Sequence, residues 1–410
     1  MGARMVLNKI AATLAGAAML VANAAAQSGE ASAPTDFVSW LNGFRAEAAA
    51  AGVRADVIDD AFATVRLNER VFELNDNQPE FSRAIWDYLD GAVSASRVET
   101  GRARFAANAG LLREIEAAYG VDANIIAAIW GLESSYGAIL GDYDAISALA
   151  TLAWKGRRTA FGRSQLIGAL KIIQNGFATR DQLRGSWAGA MGQTQFIPTT
   201  YLSYAVDHNG DGRRDIWGDL GDVFASTANY LSASRYRRGP GWGVEIALPD
   251  NFDYALADES VRKAAAEWVG LGVDGARGPL LDGLDPNVRG RIIVPAGARG
   301  PAFLVFQNFE AILAYNRSTA YALAVGLLSD AIAGARPGVV GDWPRSDRPL
   351  ALNERKRLQQ ALADLGFDPG PIDGVVGRGT KRALRAWQQA RGLPADGYAS
   401  ADVLSLLTAN

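Results

Sequence analysis

Phe37, Trp40, Leu41 and Phe44 recur three and four positions apart, the spacing that gathers them on one face of a helix. Leu111, Leu112, Ile115 and Ala118 repeat the pattern, and helical periodicity continues through 160–175 and 223–232. Between about residues 240 and 306 the rhythm changes. Val244-Glu245-Ile246-Ala247-Leu248, Arg291-Ile292-Ile293-Val294 and Phe303-Leu304-Val305-Phe306 read as short strands separated by Gly and Pro. Helical spacing returns over 310–315 and 320–332. The pattern predicts a mainly α body of the α+β type, with a small β insertion.

Residues 333–349 are rich in Gly, Pro and Arg, carry no period, and are expected to be a linker. Residues 350–410 predict a separate small domain: a helix over 353–365, a tight turn over 366–374, a helix over 380–391 and a short helix over 401–407. That is about the smallest size that folds alone. At the other end, Arg4 and Lys9 precede an apolar stretch from Ile10 to Val21, followed by Ala24-Ala25-Ala26. A stretch this short is a poor permanent anchor. Residues 1–26 are therefore expected to be a secretory signal and 27–35 a polar leader, so that the mature chain has no stable membrane anchor.

Composition narrows the chemistry. The 410 residues contain no cysteine and one histidine, His208. This removes thiol nucleophiles, disulfides, lipid attachment through cysteine, and zinc or iron sites built from Cys and His. His208 lies in the polar turn Asp207-His208-Asn209-Gly210-Asp211, a poor setting for a buried base. A net charge of −3 lacks the basic excess of a nucleic-acid binder. Carboxylates are left as the catalytic candidates.

Glu133 stands out among them. It closes the apolar run Ile125-Ile126-Ala127-Ala128-Ile129-Trp130-Gly131-Leu132 and precedes Ser134-Ser135-Tyr136-Gly137. Burial beside Ile129, Trp130 and Leu132 disfavours its ionised form, as a general acid near neutral pH requires. Downstream, Ser186 to Tyr201 (SWAGAMGQTQFIPTTY) combines small residues with neutral hydrogen-bonding groups, and Tyr315-Asn316-Arg317-Ser318 with Tyr321 adds more. Neutral polar groups and aromatic faces suit a sugar.

In order along the chain, Gln78-Pro79-Glu80-Phe81, Trp130 to Gly137, Ser186 to Tyr201, Asp207 to Tyr230 and Tyr315-Asn316 resemble the membrane-bound lytic transglycosylase B family, glycoside hydrolase family 103. The resemblance spans roughly residues 37–332. It implies a lysozyme-like core within a larger helical domain, placed here at 36–332, which cleaves peptidoglycan glycan strands in the periplasm. Glu133 matches the sole catalytic acid/base. Ser186, Gln195, Tyr230, Tyr315, Asn316 and Tyr321 match residues lining the glycan groove, and Tyr88 matches more loosely. Gln78 and Glu80 are expected to be structural. The implied reaction breaks the bond between N-acetylmuramic acid and N-acetylglucosamine, with the muramoyl C6 hydroxyl as nucleophile. Asp142 and Asp144 offer a second carboxylate for a hydrolytic muramidase instead, though both read as surface loop residues. A wall-binding protein with a decayed groove is the third reading.

The chemistry is expected to need no cofactor. Asp207, Asn209 and Asp211, with the Arg213 carbonyl, occupy positions 1, 3, 5 and 7 of an EF-hand-like loop. The pattern departs where Gly218 stands in place of the closing Glu; Asp222 could close a longer loop, which the family resemblance supports. A weakly bound structural calcium ion is expected here, the alternative being a metal-free turn cluster. In the tail, Leu358 to Leu362, Leu365-Gly366-Phe367, Ile372 to Gly377, Trp387-Gln388 and Gly392 to Gly397 resemble the three-helix peptidoglycan-binding domain.

Overall fold

The computed structural model describes residues 36–76, 83–335 and 338–409. The expected signal, the leader and the Gln78–Phe81 motif lie outside the described residues. The body is helical with a small five-stranded sheet where the periodicity predicts strands, and a two-residue ladder pairs Tyr143–Asp144 with Arg184–Gly185. Phe37, Trp40, Leu41 and Phe44 are all buried along helix Phe37–Ala50, which starts where the Asp36 carboxylate accepts the Ser39 N–H at 2.8 Å. Leu112 and Ile115 are the buried face of helix Ala109–Tyr119.

Three helices are apolar on nearly every face and lie inside the body: Ala123–Ser134, Ala145–Trp154 and Thr319–Ile332. Ala145–Trp154 is capped by Asp144, which accepts the Ser147 N–H at 3.0 Å. Its neighbour Thr159–Gln174 approaches backbone to backbone at Gly162, where a Cβ would collide with the main chain of Ala153. No helix among the described residues is long and apolar enough to cross a membrane.

The insertion is a five-stranded antiparallel sheet in the order Lys263–Ala264, Arg289–Ile293, Ala302–Val305, Gly243–Ala247, Asp274–Gly275. Its faces bury Ile246, Trp268, Ile292 and Leu304 in a core of their own. The three strands expected from sequence form its centre. The outer two, each of two residues, are too short to leave a period-2 signal.

The tail forms helices Leu352–Asp364, Arg378–Ala390 and Ala401–Thr408 around Leu358, Leu362, Leu384, Trp387 and Leu404. Two buried glutamines tie its turns. Gln359 accepts from Gly374 N (2.7 Å) and donates to the Val375 carbonyl, while Gln388 accepts from Gly397 N (2.8 Å). The segment before it is held against the body. Glu245 accepts the Val340 and Gly341 N–H groups, Trp343 packs on Trp86, and Arg345 pairs with Asp90. The tail domain docks on the insertion through Arg385–Asp258 (2.9 Å), Arg378–Glu259 (3.0 Å) and Arg299, which meets both Asp347 and Asp402.

Candidate active site

Glu133 is the penultimate residue of helix Ala123–Ser134, whose end is set by three consecutive left-handed residues: Ser135 (φ 49°), Tyr136 (φ 59°) and Gly137 (φ 84°). For the two non-glycine residues this conformation costs about 1–2 kcal/mol each. The turn is held by several contacts. The Trp130 carbonyl accepts from Ser135 N, Tyr136 N and Ser134 Oγ, and Ser134 Oγ accepts from Gly137 N at 3.0 Å. The Tyr136 ring is buried edge-on against Trp130 at 5.4 Å, and its hydroxyl donates to the Arg97 carbonyl.

Glu133 keeps a little open surface, but its carboxyl is enclosed by protein. Burial is the dominant effect and pushes it up to about 7, opposed by the Tyr321 hydroxyl, which donates to Oε1 at 2.6 Å. Tyr88 and Tyr315 also sense its charge. Burial first, then the nearby carboxylate, pushes Tyr88 up to about 12 and raises Tyr315 and Tyr321 well above the ordinary phenol range. All three therefore stay neutral hydroxyls beside Glu133. They come from three elements: helix Ile85–Ala92, the last residue of helix Gln307–Tyr315, and the first turn of helix Thr319–Ile332, capped by Ser318.

The other expected residues fall into two groups. Gln195, Tyr230 and Tyr315 line one open pocket with Phe196, Ile197, Thr200 and Ala314. Tyr230 and Tyr315 meet edge to face at 5.0 Å, and their hydroxyls donate to the Ala314 and Thr194 carbonyls. Gln195, itself left-handed (φ 51°), donates through Nε2 to the Gly192 and Leu140 carbonyls. Ser186 instead organises its own turn, its Oγ accepting from Ala188 N and Ala190 N. Asn316 is exposed at the end of helix Gln307–Tyr315, where its Oδ1 accepts from Ser318 N.

Asp144 is bound to Arg180 at 2.5 Å besides capping its helix, and Asp142 is exposed. Among the described residues no second carboxylate contributes to the shift of Glu133. Gln193, which no sequence pattern singles out within the 186–201 segment, proves central: it is buried and accepts the Trp130 indole N–H at 2.6 Å. Arg97 was likewise unmarked, and donates to the Gly131 carbonyl at 2.6 Å.

The polar loop folds on itself. Asp207 accepts from Gly210, Asp211 and Gly212 N–H groups, Asn209 from Asp211 N, and Asp211 from Arg213 N. Asp222 is fully buried and accepts from His208 N (2.7 Å) and Asp215 N (2.6 Å). These oxygens suit a hard cation. Among the described residues, however, no three acidic or histidine side chains are grouped so as to hold a metal ion, so the expected ligand set is not drawn into one shell.

A helical body with a β insertion, and a single enclosed carboxyl among tyrosines, define a lysozyme-like glycan-handling class. The chain belongs to the transglycosylase SLT domain family, whose model matches residues 36–330, and a peptidoglycan binding domain model matches residues 352–407. Membrane-bound lytic murein transglycosylase B of Escherichia coli is 31% identical over 224 residues, 53% of this chain; the match spans 59% of that relative's length. Two crystal structures of SltB3 from Pseudomonas aeruginosa, one with NAG-NAM-pentapeptide and one with NAG-anhNAM-pentapeptide, superpose with a TM-score of 0.88 at 51% identity, covering 91% of this chain and 100% of theirs. E. coli Slt35 in complex with calcium superposes with a TM-score of 0.60 at 27% identity, covering 72% of this chain and 92% of that one.

Protonated Glu133 is lost as pH rises through about 7. The Tyr321 bond favours the ionised form, so Tyr321→Phe raises the Glu133 pKa. The alkaline limb of kcat/KM on isolated peptidoglycan is expected to move to higher pH in this variant, whatever the loss in absolute rate. A limb that stays in place or moves down would remove Glu133 as its source.

Proposed function

We propose that the chain is a lytic transglycosylase that cuts the β-1,4 bond between N-acetylmuramic acid and N-acetylglucosamine in periplasmic peptidoglycan, with residues 36–332 catalytic, 333–349 a linker and 350–410 wall-binding. One observation carries the reading: the Glu133 carboxyl, set among Tyr88, Tyr315 and Tyr321, is pushed up to about 7 by burial, with no second carboxylate acting on it among the described residues. Protonated Glu133 donates to the glycosidic oxygen as the bond from muramoyl C1 breaks. The resulting carboxylate takes the proton of the muramoyl C6 hydroxyl as O6 bonds to C1, which closes a 1,6-anhydro ring and returns Glu133 to its acid form. The nucleophile is part of the substrate, so the second carboxylate of most glycosidases is not needed. Tyr321 steadies the transient carboxylate, while Tyr88, Ser186, Gln195, Tyr230, Tyr315 and Asn316 line the strand. The P. aeruginosa SltB3 complex with NAG-anhNAM-pentapeptide supports this product.

A structural calcium ion at Asp207, Asn209, Asp211, Arg213 and Asp222 is part of the proposal, supported by the ligand spacing and by the calcium complex of E. coli Slt35. With few anionic ligands, affinity is expected to be low.

Three outcomes are expected. Wild-type digests analysed by mass spectrometry should contain anhydromuramoyl ends, lighter by one water than hydrolytic ends, and Glu133→Gln should lower turnover about a thousandfold or more; mainly reducing ends would favour a hydrolase. Millimolar calcium should raise the melting temperature by a few degrees, and Asp207→Ala should abolish that rise; an unchanged melting curve would withdraw the ion. Glu133→Gln protein should pellet with insoluble sacculi, and the same protein ending at residue 332 should pellet less; equal pelleting would end the wall-binding role of the tail.

A further inference from the structure

We propose that Gln193 is a positioning residue for the reaction, a buried clamp that ties the turn after Glu133 to the segment following the acidic loop. Its side chain works in both directions. Oε1 accepts the Trp130 indole N–H at 2.6 Å, and Nε2 donates to the Trp217 carbonyl at 2.8 Å. Its backbone N–H donates to the Ile216 carbonyl, also at 2.8 Å. Only an uncharged group with an acceptor and a donor on one planar end fits these two partners.

The placement acts on Glu133 through the helix end. Trp130 is one turn before Glu133 on the same helix, and its carbonyl is the acceptor that closes the left-handed turn. Gln193 also fills the space beside Gly137, where a Cβ would lie 2.5 Å from its Oε1. The turn is thus pinned from both sides, by Trp130 and at Gly137, to a single side chain on another segment. Strained backbone persists only where its surroundings over-determine it, and Gln193 supplies much of that determination. Without it the Trp130 N–H and the Trp217 carbonyl lose their partners, and the turn is free to relax and admit water to the Glu133 carboxyl.

The proposal rests on the transglycosylase reading, and the two fail differently. If wild-type protein forms no anhydromuramoyl ends, that reading falls first; the clamp is tested against an active wild type. Gln193→Leu removes both side-chain bonds. It is expected to lower kcat on soluble glycan about 10- to 100-fold with KM within about twofold, in protein that still unfolds cooperatively, and to shift the alkaline limb of kcat/KM to lower pH. Trp130→Phe removes the shared bond, along with part of the ring that packs on Tyr136 and Phe224, and should move both readouts the same way. The double variant should be no worse than the weaker single variant, because the two residues act as one unit. Gln193→Glu separates positioning from folding: as a neutral acid it can accept from Trp130 and donate to Trp217, so activity should recover towards acidic pH and fall as it ionises. Losses that track only the folded fraction, a rise in KM alone, an unmoved pH limb, or no acid recovery in Gln193→Glu would overturn the clamp. If Gln193→Leu does not fold, Trp130→Phe and Gln193→Glu decide the question.

Discussion

The withdrawal of one carboxyl from water sets the terms for everything around it. Glu133 ends a helix that is apolar on almost every face, so its head group is drawn into protein and its proton is retained up to about pH 7. An isolated buried carboxylate would be prohibitive. The Tyr321 hydroxyl resolves this without a counter-charge: it can steady a transient negative charge but cannot neutralise it permanently. An arginine in place of Tyr321 would hold the carboxyl ionised and remove the acid the proposed reaction needs.

A helix end alone could not hold that arrangement. The left-handed stretch after Glu133 is locally unfavourable at Ser135 and Tyr136, and isolated peptides would abandon it. It survives because Trp130, Tyr136 and Ser134 knit it together and because Gln193 and Arg97 approach from elsewhere in the chain. The same elements connect the site to the 207–222 segment, since Gln193 is bonded to Ile216 and Trp217 within it.

The tail domain obeys a different logic. Its own core is small, and it meets the insertion largely through ion pairs, among them Arg385–Asp258 and Arg299 with Asp402. Exposed pairs contribute little singly. Here they are joined by the pinned stretch 338–349 and by the Ala298 N–H, which donates to Asp396. Gly, Pro and Arg content predicts a linker without regular structure, and its described residues have none. It is nonetheless tied down, because Glu245 and Trp86 present partners that no local pattern reveals.

Sequence by itself determined the elements whose cause is local. Period and capping mark the long helices and the three central strands, and the apolar run ahead of Glu133 is enough to forecast its burial and raised pKa. Tertiary structure decided what depends on groups distant in the chain. Tyr321 bonds the carboxyl and Tyr88, on another helix, senses its charge, Asp144 is removed as a second acid by Arg180, and Ser186 spends its oxygen on its own turn. Asp222 accepts from two amides seven and fourteen residues away, partners that spacing alone does not reveal. Gln193 was unreadable for the same reason. A glutamine in a polar, glycine-rich segment carries no periodicity, and its role arises only when folding sets it between an indole N–H and a carbonyl that are far apart in the chain.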